Sequence, residues 1–259
     1  MDLRIDDPCV LFALSRESQG FRREFPPTQP FTGAPCRALF CGPSWLPVLV
    51  METGIGPQAT RQALEWLCGK PRFDQVPYEP KLVLFAGFAG SLVESLHVGD
   101  VVLATDVVDV DGRRWSTTWP GELPPGSWQP PLRRGSILSC PHLVGDPESK
   151  RRLGQTHTAL AVDMESAAFA RICSERAIPF GCVRSISDNV ETPLTPRLVD
   201  LLAGGRISAR RVLLAILRQP SLLKEFMRLS RDTRSASQSL GKALGELLTL
   251  TLDWFEKPD

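Results

Sequence analysis

Short runs of apolar and β-branched residues recur along the chain up to about residue 190, each long enough for one strand. The runs are Cys9–Leu14, Arg37–Cys41, Pro47–Glu52, Lys81–Gly87, Asp100–Val108, Ser136–Cys140, Thr158–Val162 and Phe180–Ile186. Between them the period lengthens. Ala59, Ala63, Leu64 and Leu67 fall on one face of a predicted helix from Gln58 to Cys68. A second helix is predicted from Met164 to Arg176. Strand, helix and strand in alternation predict an α/β layer fold with a largely parallel sheet. Ligands of such sheets bind beyond the carboxyl ends of the strands. Asp111–Arg134, rich in Pro, Trp and Gly, breaks the pattern and predicts a long irregular excursion of the lid or interface kind. From Thr195 the pattern is helical: Arg206–Arg218, Ser221–Arg231 and Ser235–Trp254, with Pro220 stopping the first. The expected organisation is an α/β domain over 8–194 and a helical extension over 195–259.

Composition narrows the class. The 259 residues are 42% hydrophobic and 23% charged, which supplies a real core and excludes disorder over the whole length. Thirty Lys+Arg against 29 Asp+Glu give a net charge of +1 and no sign of a nucleic-acid partner. No apolar run approaches the roughly 18–20 residues of a membrane span. The acidic start, Met1 to Asp7, does not read as a signal peptide, so the expected location is cytoplasmic. Seven cysteines without a C-x-x-C pair read as reduced thiols, and three histidines without helical pairing predict no metal site. No G-x-S-x-G elbow supports a serine hydrolase. Chemistry, if present, is left to carboxylates.

Four stretches carry candidate chemistry. Glu52-Thr53-Gly54-Ile55-Gly56-Pro57 joins a strand to a helix, and Gly54 and Gly56 let backbone approach a ligand or simply make the turn. Ala86-Gly87-Phe88-Ala89-Gly90-Ser91 ends a strand with small residues, which suits a ligand or close packing equally. Val162-Asp163-Met164-Glu165-Ser166 opens a helix with two carboxylates, of which Asp163 alone would serve as an N-cap. Arg184-Ser185-Ile186-Ser187-Asp188-Asn189 ends another strand with a third. Glu17, after the first strand, lies on the same edge. Carboxylates converging there suggest acid/base work and hydroxyl binding.

Taken together these residues resemble the nucleoside phosphorylase/nucleosidase superfamily over about residues 9–190, most specifically through Val162-Asp163-Met164-Glu165 and Arg184-Ser185-Ile186-Ser187-Asp188. Thr53-Gly54-Ile55-Gly56 and Val98-Gly99-Asp100 add support. The resemblance implies a three-layer α/β/α sandwich and cleavage of a nucleoside N-glycosidic bond, without a cofactor, by a homo-oligomer. It implies Asp188 as the acid at purine N7 and Glu17 as the carboxylate activating water. It places Glu165 on the ribose hydroxyls, Met164 under the sugar, and Leu143 where a phenylalanine faces the adenine. Asp163, Ser187, Phe88, Ala89, Gly90, Val144, Leu14, Gly54 and Gly56 complete the implied substrate-binding set. An acid at N7 must be protonated, or share a proton, near neutral pH, which requires partial burial.

The phosphorylases of this superfamily carry an arginine in the first loop, a second at the position of Phe85 and a hydroxyl residue at that of Phe88. Here the first loop reads Ala13-Leu14-Ser15-Arg16-Glu17 and both later positions are phenylalanine. Phosphate without its guanidinium partners would be poorly held, so water is the expected nucleophile. Phosphorolysis, and a non-catalytic nucleoside-binding protein in which Phe88 narrows the water or ribose site, are the alternatives. Thr53-Gly54-Ile55-Gly56-Pro57, Ala161 to Ser166 and the tail most resemble the hopanoid-associated nucleosidases, which implies a 5′-substituted adenosine as substrate. Residues 205–242 hold nine Lys/Arg and two acids, net +7, leaving −6 for the rest. Basic amphipathic helices can lie on anionic membranes; packing on the core or on a second subunit is the preferred reading.

Overall fold

Alternate residues of three central strands divide the core in two. In the computed structural model, which describes residues 7–73, 75–119, 123, 128–193 and 221–251, β1 (Cys9–Phe12), β4 (Val48–Glu52) and β7 (Val83–Ser91) lie side by side and parallel. Side chains of a strand point alternately to its two faces. Cys9, Leu11, Leu49, Met51, Val83 and Phe85 therefore face one layer, made by α2 (Pro57–Cys68) and α4 (Ser166–Glu175). Val10, Phe12, Val48, Val50, Leu84 and Ala86 face the other, made by α1 (Ser15–Glu24) and α5 (Ser221–Leu250). This is the three-layer α/β/α arrangement.

The sheet is mixed. Its order is β11-β10-β8-β12-β7-β1-β4-β3-β2, with β2 (Pro27–Pro30), β3 (Arg37–Cys41), β8 (Val101–Asp109), β10 (Leu132–Ser139), β11 (Ala159–Asp163) and β12 (Phe180–Asp188). The strands β4, β1, β7 and β12 run one way, while β8, β10 and β11 run the other. Strand β11 pairs with β10 and also, antiparallel, with the far end of β7 through Val162↔Gly90, closing β7, β12, β8, β10 and β11 into a ring. The irregular excursion contains a strand, β9 (Arg114–Ser116), paired with β8. A separate two-stranded ribbon is formed by β5 (Arg72–Phe73) and β6 (Val76–Pro77).

Helix α3 (Pro147–His157) covers β11, with Asp146 as its N-cap accepting from the Ser149 N–H at 2.8 Å. The two helices predicted over Ser221–Arg231 and Ser235–Trp254 are one helix, α5, continuous through 232–234. No proline or glycine lies there to interrupt it. Residues 206–218 lie outside the described residues. Ala236, Leu240, Ala243, Leu244, Leu247 and Leu248 are fully buried against α1 and the sheet, whereas Arg231, Arg234 and Lys242 are exposed. From Ala236 to Leu248 the apolar stripe is covered by the core, while Met227 near the start of α5 is exposed. No helix among the described residues is long and apolar enough to cross a membrane.

The α1–α5 crossing is close. A Cβ on Gly241 would stand 2.4 Å from the Gly20 carbonyl carbon, and one on Gly20 would stand 1.7 Å from the Ser237 carbonyl oxygen. Only glycine at both positions lets the backbones meet. There the Ser237 hydroxyl accepts from the Gly20 N–H at 2.9 Å and donates to the Arg16 carbonyl at 2.8 Å. Those two backbone groups are an i→i−4 pair of α1, so a side chain of α5 enters the ladder of another helix.

Candidate active site

Strand β7 is the floor of the site. Its Gly87-Phe88-Ala89-Gly90 segment meets Glu17 from α1, Arg184 and Asp188 from β12, and the chain leaving β11. Because β11 runs antiparallel into β7 at Gly90, Asp163, Met164 and Glu165 continue back along β7 towards Gly87. The acidic groups converge through ring closure as well as through strands ending on one edge.

Glu17 stands in the first turn of α1 with 7% of its surface exposed. Its Oε2 accepts from the Leu14 N–H at 2.8 Å, half of a capping box, and its Oε1 from the Phe88 N–H at 2.9 Å. A Cβ on Gly87 would lie 2.7 Å from Oε1, so glycine there makes the approach possible. Burial pushes the Glu17 carboxyl above its ordinary value, against the lowering pull of the Phe88 N–H and of Arg184.

Glu165 is half-buried at the start of α4 and accepts from the Gly56 N–H at 3.3 Å. Gly56 and Gly54 have φ of +97° and +92°, conformations that favour glycine, and the turn they form presents that N–H to the carboxylate. Burial, then the negative charge of Asp163, raises Glu165 to about 7, with Glu17 adding to the rise. Two carboxyls here therefore hold protons more tightly than free ones.

Asp163 and Arg184 are both buried and paired. The Arg184 Nε donates to Asp163 Oδ2 at 2.7 Å, one Nη to the Ser166 hydroxyl at 2.8 Å, and the other to the Phe85 carbonyl at 3.1 Å. Ser166 also donates to Asp163 Oδ2 through its hydroxyl and to Oδ1 through its N–H, at 3.2 Å. The guanidinium lies 4.4 Å from the centre of the Phe85 ring. These bonds seat Arg184 and tie Asp163 to the first N–H of α4. Arg184, quoted in the sequence motif without a role, is the hub beneath the carboxylates. A charged residue amid the buried run Cys182-Val183-Arg184-Ser185-Ile186 is the signal that could have found it.

Asp188 ends β12 after a bulge: Ile186 pairs with Ala89 but Asp188 with Gly90, leaving Ser187 unpaired. Ser187 donates to Asp188 Oδ1 at 2.9 Å, and Asp188 Oδ2 lies 3.0 Å from where a Gly90 Cβ would be. Lys150 of α3, absent from the sequence-derived set, is fully buried and hydrogen-bonds Asp188 Oδ2 and, at 3.0 Å, the Asn189 carbonyl. Nothing in Ser149-Lys150-Arg151-Arg152 separates it from its solvated neighbours.

The structure thus brings together Glu17, Gly56, Phe88, Gly90, Glu165, Ser187 and Asp188. Leu14 and Gly54 adjoin them through backbone bonds to Glu17 and Ala13. Ala89 is buried in the core with its carbonyl facing the Ser187 hydroxyl at 3.4 Å. The Phe88 side chain and Met164 are half-buried. Leu143, also half-buried, lies in the loop between β10 and α3, and Val144 beside it packs on the small cluster containing Val162. From Gly87 at Glu17 to Gly90 at Asp188 is three residue steps, roughly 10 Å of strand.

Comparison with known proteins gives the family and the fold. The model of the phosphorylase superfamily matches residues 38–129 and 121–218. A 5′-methylthioadenosine/S-adenosylhomocysteine nucleosidase of Staphylococcus aureus is 29% identical over 163 residues, covering 54% of this chain and 68% of that protein. The solved nucleosidase of the same description from Helicobacter pylori superposes with a TM-score of 0.66 at 20% identity, covering 96% of this chain and 100% of the other. Futalosine hydrolase of Helicobacter pylori superposes with a TM-score of 0.65 at 18% identity, covering 95% and 98%. At these identities the two superpositions establish the shared fold.

Proposed function

The chain belongs to the phosphorylase superfamily, and we propose that within it this protein hydrolyses the N-glycosidic bond of a purine nucleoside carrying a 5′ substituent, releasing the base. The observation that carries the reading is that Glu17 of α1 and Asp188 of β12 both meet the Gly87–Gly90 segment of β7.

Asp188 is the group that delivers a proton to the leaving purine at N7. Glu165 holds the ribose hydroxyls, and its negative charge, with that of Glu17, favours an oxocarbenium-like sugar. Glu17, fixed by two backbone N–H groups, takes the proton of the attacking water. Its raised affinity for protons suits a general base. Water rather than phosphate is supported by Arg184: its guanidinium is spent on Asp163, Ser166 and Phe85, leaving no bidentate face for an oxyanion. The likeness to nucleosidases of 5′-methylthioadenosine and S-adenosylhomocysteine supports adenine as the base. The resemblance to hopanoid-associated nucleosidases extends the 5′ substituent to lipid-like groups.

The test is chromatography of a panel of adenosine, 5′-methylthioadenosine and long-chain 5′-alkyl adenosines, with and without phosphate. Free adenine and free sugar in phosphate-free buffer are expected. Base release that requires phosphate would make the protein a phosphorylase; tight binding without turnover would make it a binding protein.

A further inference from the structure

The inner face of α3 carries a lysine where packing alone calls for an apolar residue. Lys150 is 0% exposed, and the same face contains Gly154 four residues on. A Cβ on Gly154 would lie 2.8 Å from the Leu92 carbonyl oxygen, so glycine lets α3 press against the chain just beyond β7. That closeness delivers the Lys150 ammonium to Asp188 Oδ2 and the Asn189 carbonyl. Burying an ammonium is expensive, and replacing a buried ion pair by apolar residues is often neutral or stabilising. Stability alone is therefore a weak reason for a lysine in this position.

We propose that Lys150 is the positioning and proton-supplying partner of Asp188, so that the two act as one acid. This rests on the reading of Asp188 as the group that protonates the leaving base. The Lys150 bond fixes Oδ2, the Ser187 hydroxyl fixes Oδ1 at 2.9 Å, and Gly90 leaves the carboxyl free of steric conflict with β7. A carboxylate alone has no proton to give; paired with an ammonium, it has one. As the C1′–N9 bond breaks, its electron pair passes into the purine ring and N7 takes a proton across Asp188. The Lys150 ammonium replaces that proton and becomes the neutral amine. Water adds to C1′ and gives a proton to Glu17, which returns through solvent to the Lys150–Asp188 pair before the next turnover. Nucleoside and water are consumed, sugar and neutral base are formed, and every proton is accounted for.

The role predicts a dependence on the leaving group. Adenine needs a proton to depart; 4-nitrophenolate does not. The substitutions Lys150→Arg and Lys150→Met, with Asp188→Asn alongside, are assayed on 5′-methylthioadenosine and on 4-nitrophenyl β-D-ribofuranoside. Arginine keeps the buried charge and the bond to Asp188 but does not release its proton. Both Lys150 variants are expected to lose about 10²–10³-fold in kcat on the nucleoside, within the usual range for general acid catalysis. On the activated riboside they should stay within a few-fold of wild type. Loss of equal size on both substrates would make Lys150 structural, and full nucleoside activity in Lys150→Arg would overturn proton supply. If Asp188→Asn retains nucleoside activity, the reading of Asp188 as the acid fails instead.

Discussion

Glu17 Oε1 accepts the backbone N–H of Phe88 at 2.9 Å, across 71 residues of sequence. That bond fixes a carboxylate from the first turn of α1 on the strand that also carries Gly90 and, through its partner β12, Asp188. Replacing Glu17 by Gln keeps the shape and one acceptor but removes the base. The expected result is a fall in kcat of about 10²–10⁴-fold, with Tm lowered only by the one backbone N–H left unpaired. Gly87→Ala should act on the same bond from the other side, because its new Cβ would stand 2.7 Å from Oε1 and displace the carboxylate. Steady-state kinetics beside a melting curve checks both, and a fully active Gly87→Ala would show that Glu17 need not sit there.

Glu165, raised to about 7 from an ordinary 4.5 chiefly by burial, makes stability fall with rising pH. The folded protein binds this proton more tightly than the unfolded chain does. The contribution is therefore complete below pH 4.5 and is lost as pH rises towards 7 and beyond. Glu165→Gln keeps an acceptor for the Gly56 N–H and removes the titration. Its Tm relative to wild type should climb from pH 5 to pH 8. Glu17 titrates in the same sense in both proteins and does not reverse the trend; a constant difference across that range would refute the assignment.

Asp163 should matter to folding more than to sugar binding. Asp163→Asn breaks a buried ion pair and leaves the Arg184 charge without its partner. The expected loss is about 3–5 kcal/mol, or some 6–20 °C in Tm for a chain of this size. The KM of the molecules that remain folded should move less than in Glu165→Gln. An unchanged Tm with a raised KM would instead make Asp163 a substrate contact.

The crossing of α1 and α5 gives a graded pair of variants. Ser237→Ala removes a hydroxyl bonded to both Gly20 and Arg16, at about 1–3 kcal/mol for buried groups left unsatisfied. Gly241→Ala sets a methyl 2.4 Å from the Gly20 carbonyl carbon and 2.6 Å from the Phe21 nitrogen, backbone atoms that cannot turn aside. It should destabilise by about 3 kcal/mol or more. Denaturant unfolding ranks the two, and equal midpoints would mean that the helices separate without cost.

The strands of the main sheet that were legible are short, apolar and bounded by turns; Arg37–Cys41 coincides with β3 residue for residue. Helix α2 showed its apolar stripe. Helices α1 and α3 did not, since Ser15–Glu24 and Pro147–His157 are almost wholly polar and bury mainly Glu17, Ser18, Gly20 and Phe21 in one, Lys150 and Gly154 in the other. Hydrophobic periodicity is silent when a helix turns polar chemistry inward. The carboxylates could be named from their motifs, because motifs are local. Lys150 and the Ser237 bridge could not, for each owes its place to a contact made 38 or 217 residues away. The antiparallel entry of β11 into β7 is likewise a property of closure that no single segment encodes.

The Ser237 bridge also sets an order in time. Helix α1 leaves the ribosome early, yet one of its backbone pairs waits for a serine 217 residues later. At about 5–20 residues per second that interval is roughly 10–40 s. Throughout it the segment bearing Glu17 lacks the helix that covers Phe21 and Phe25, so a nascent chain holds exposed aromatic surface and an unfinished base. Activity should therefore appear on a synthesising ribosome only after α5 has cleared the exit tunnel, which makes this helix the step that switches the enzyme on.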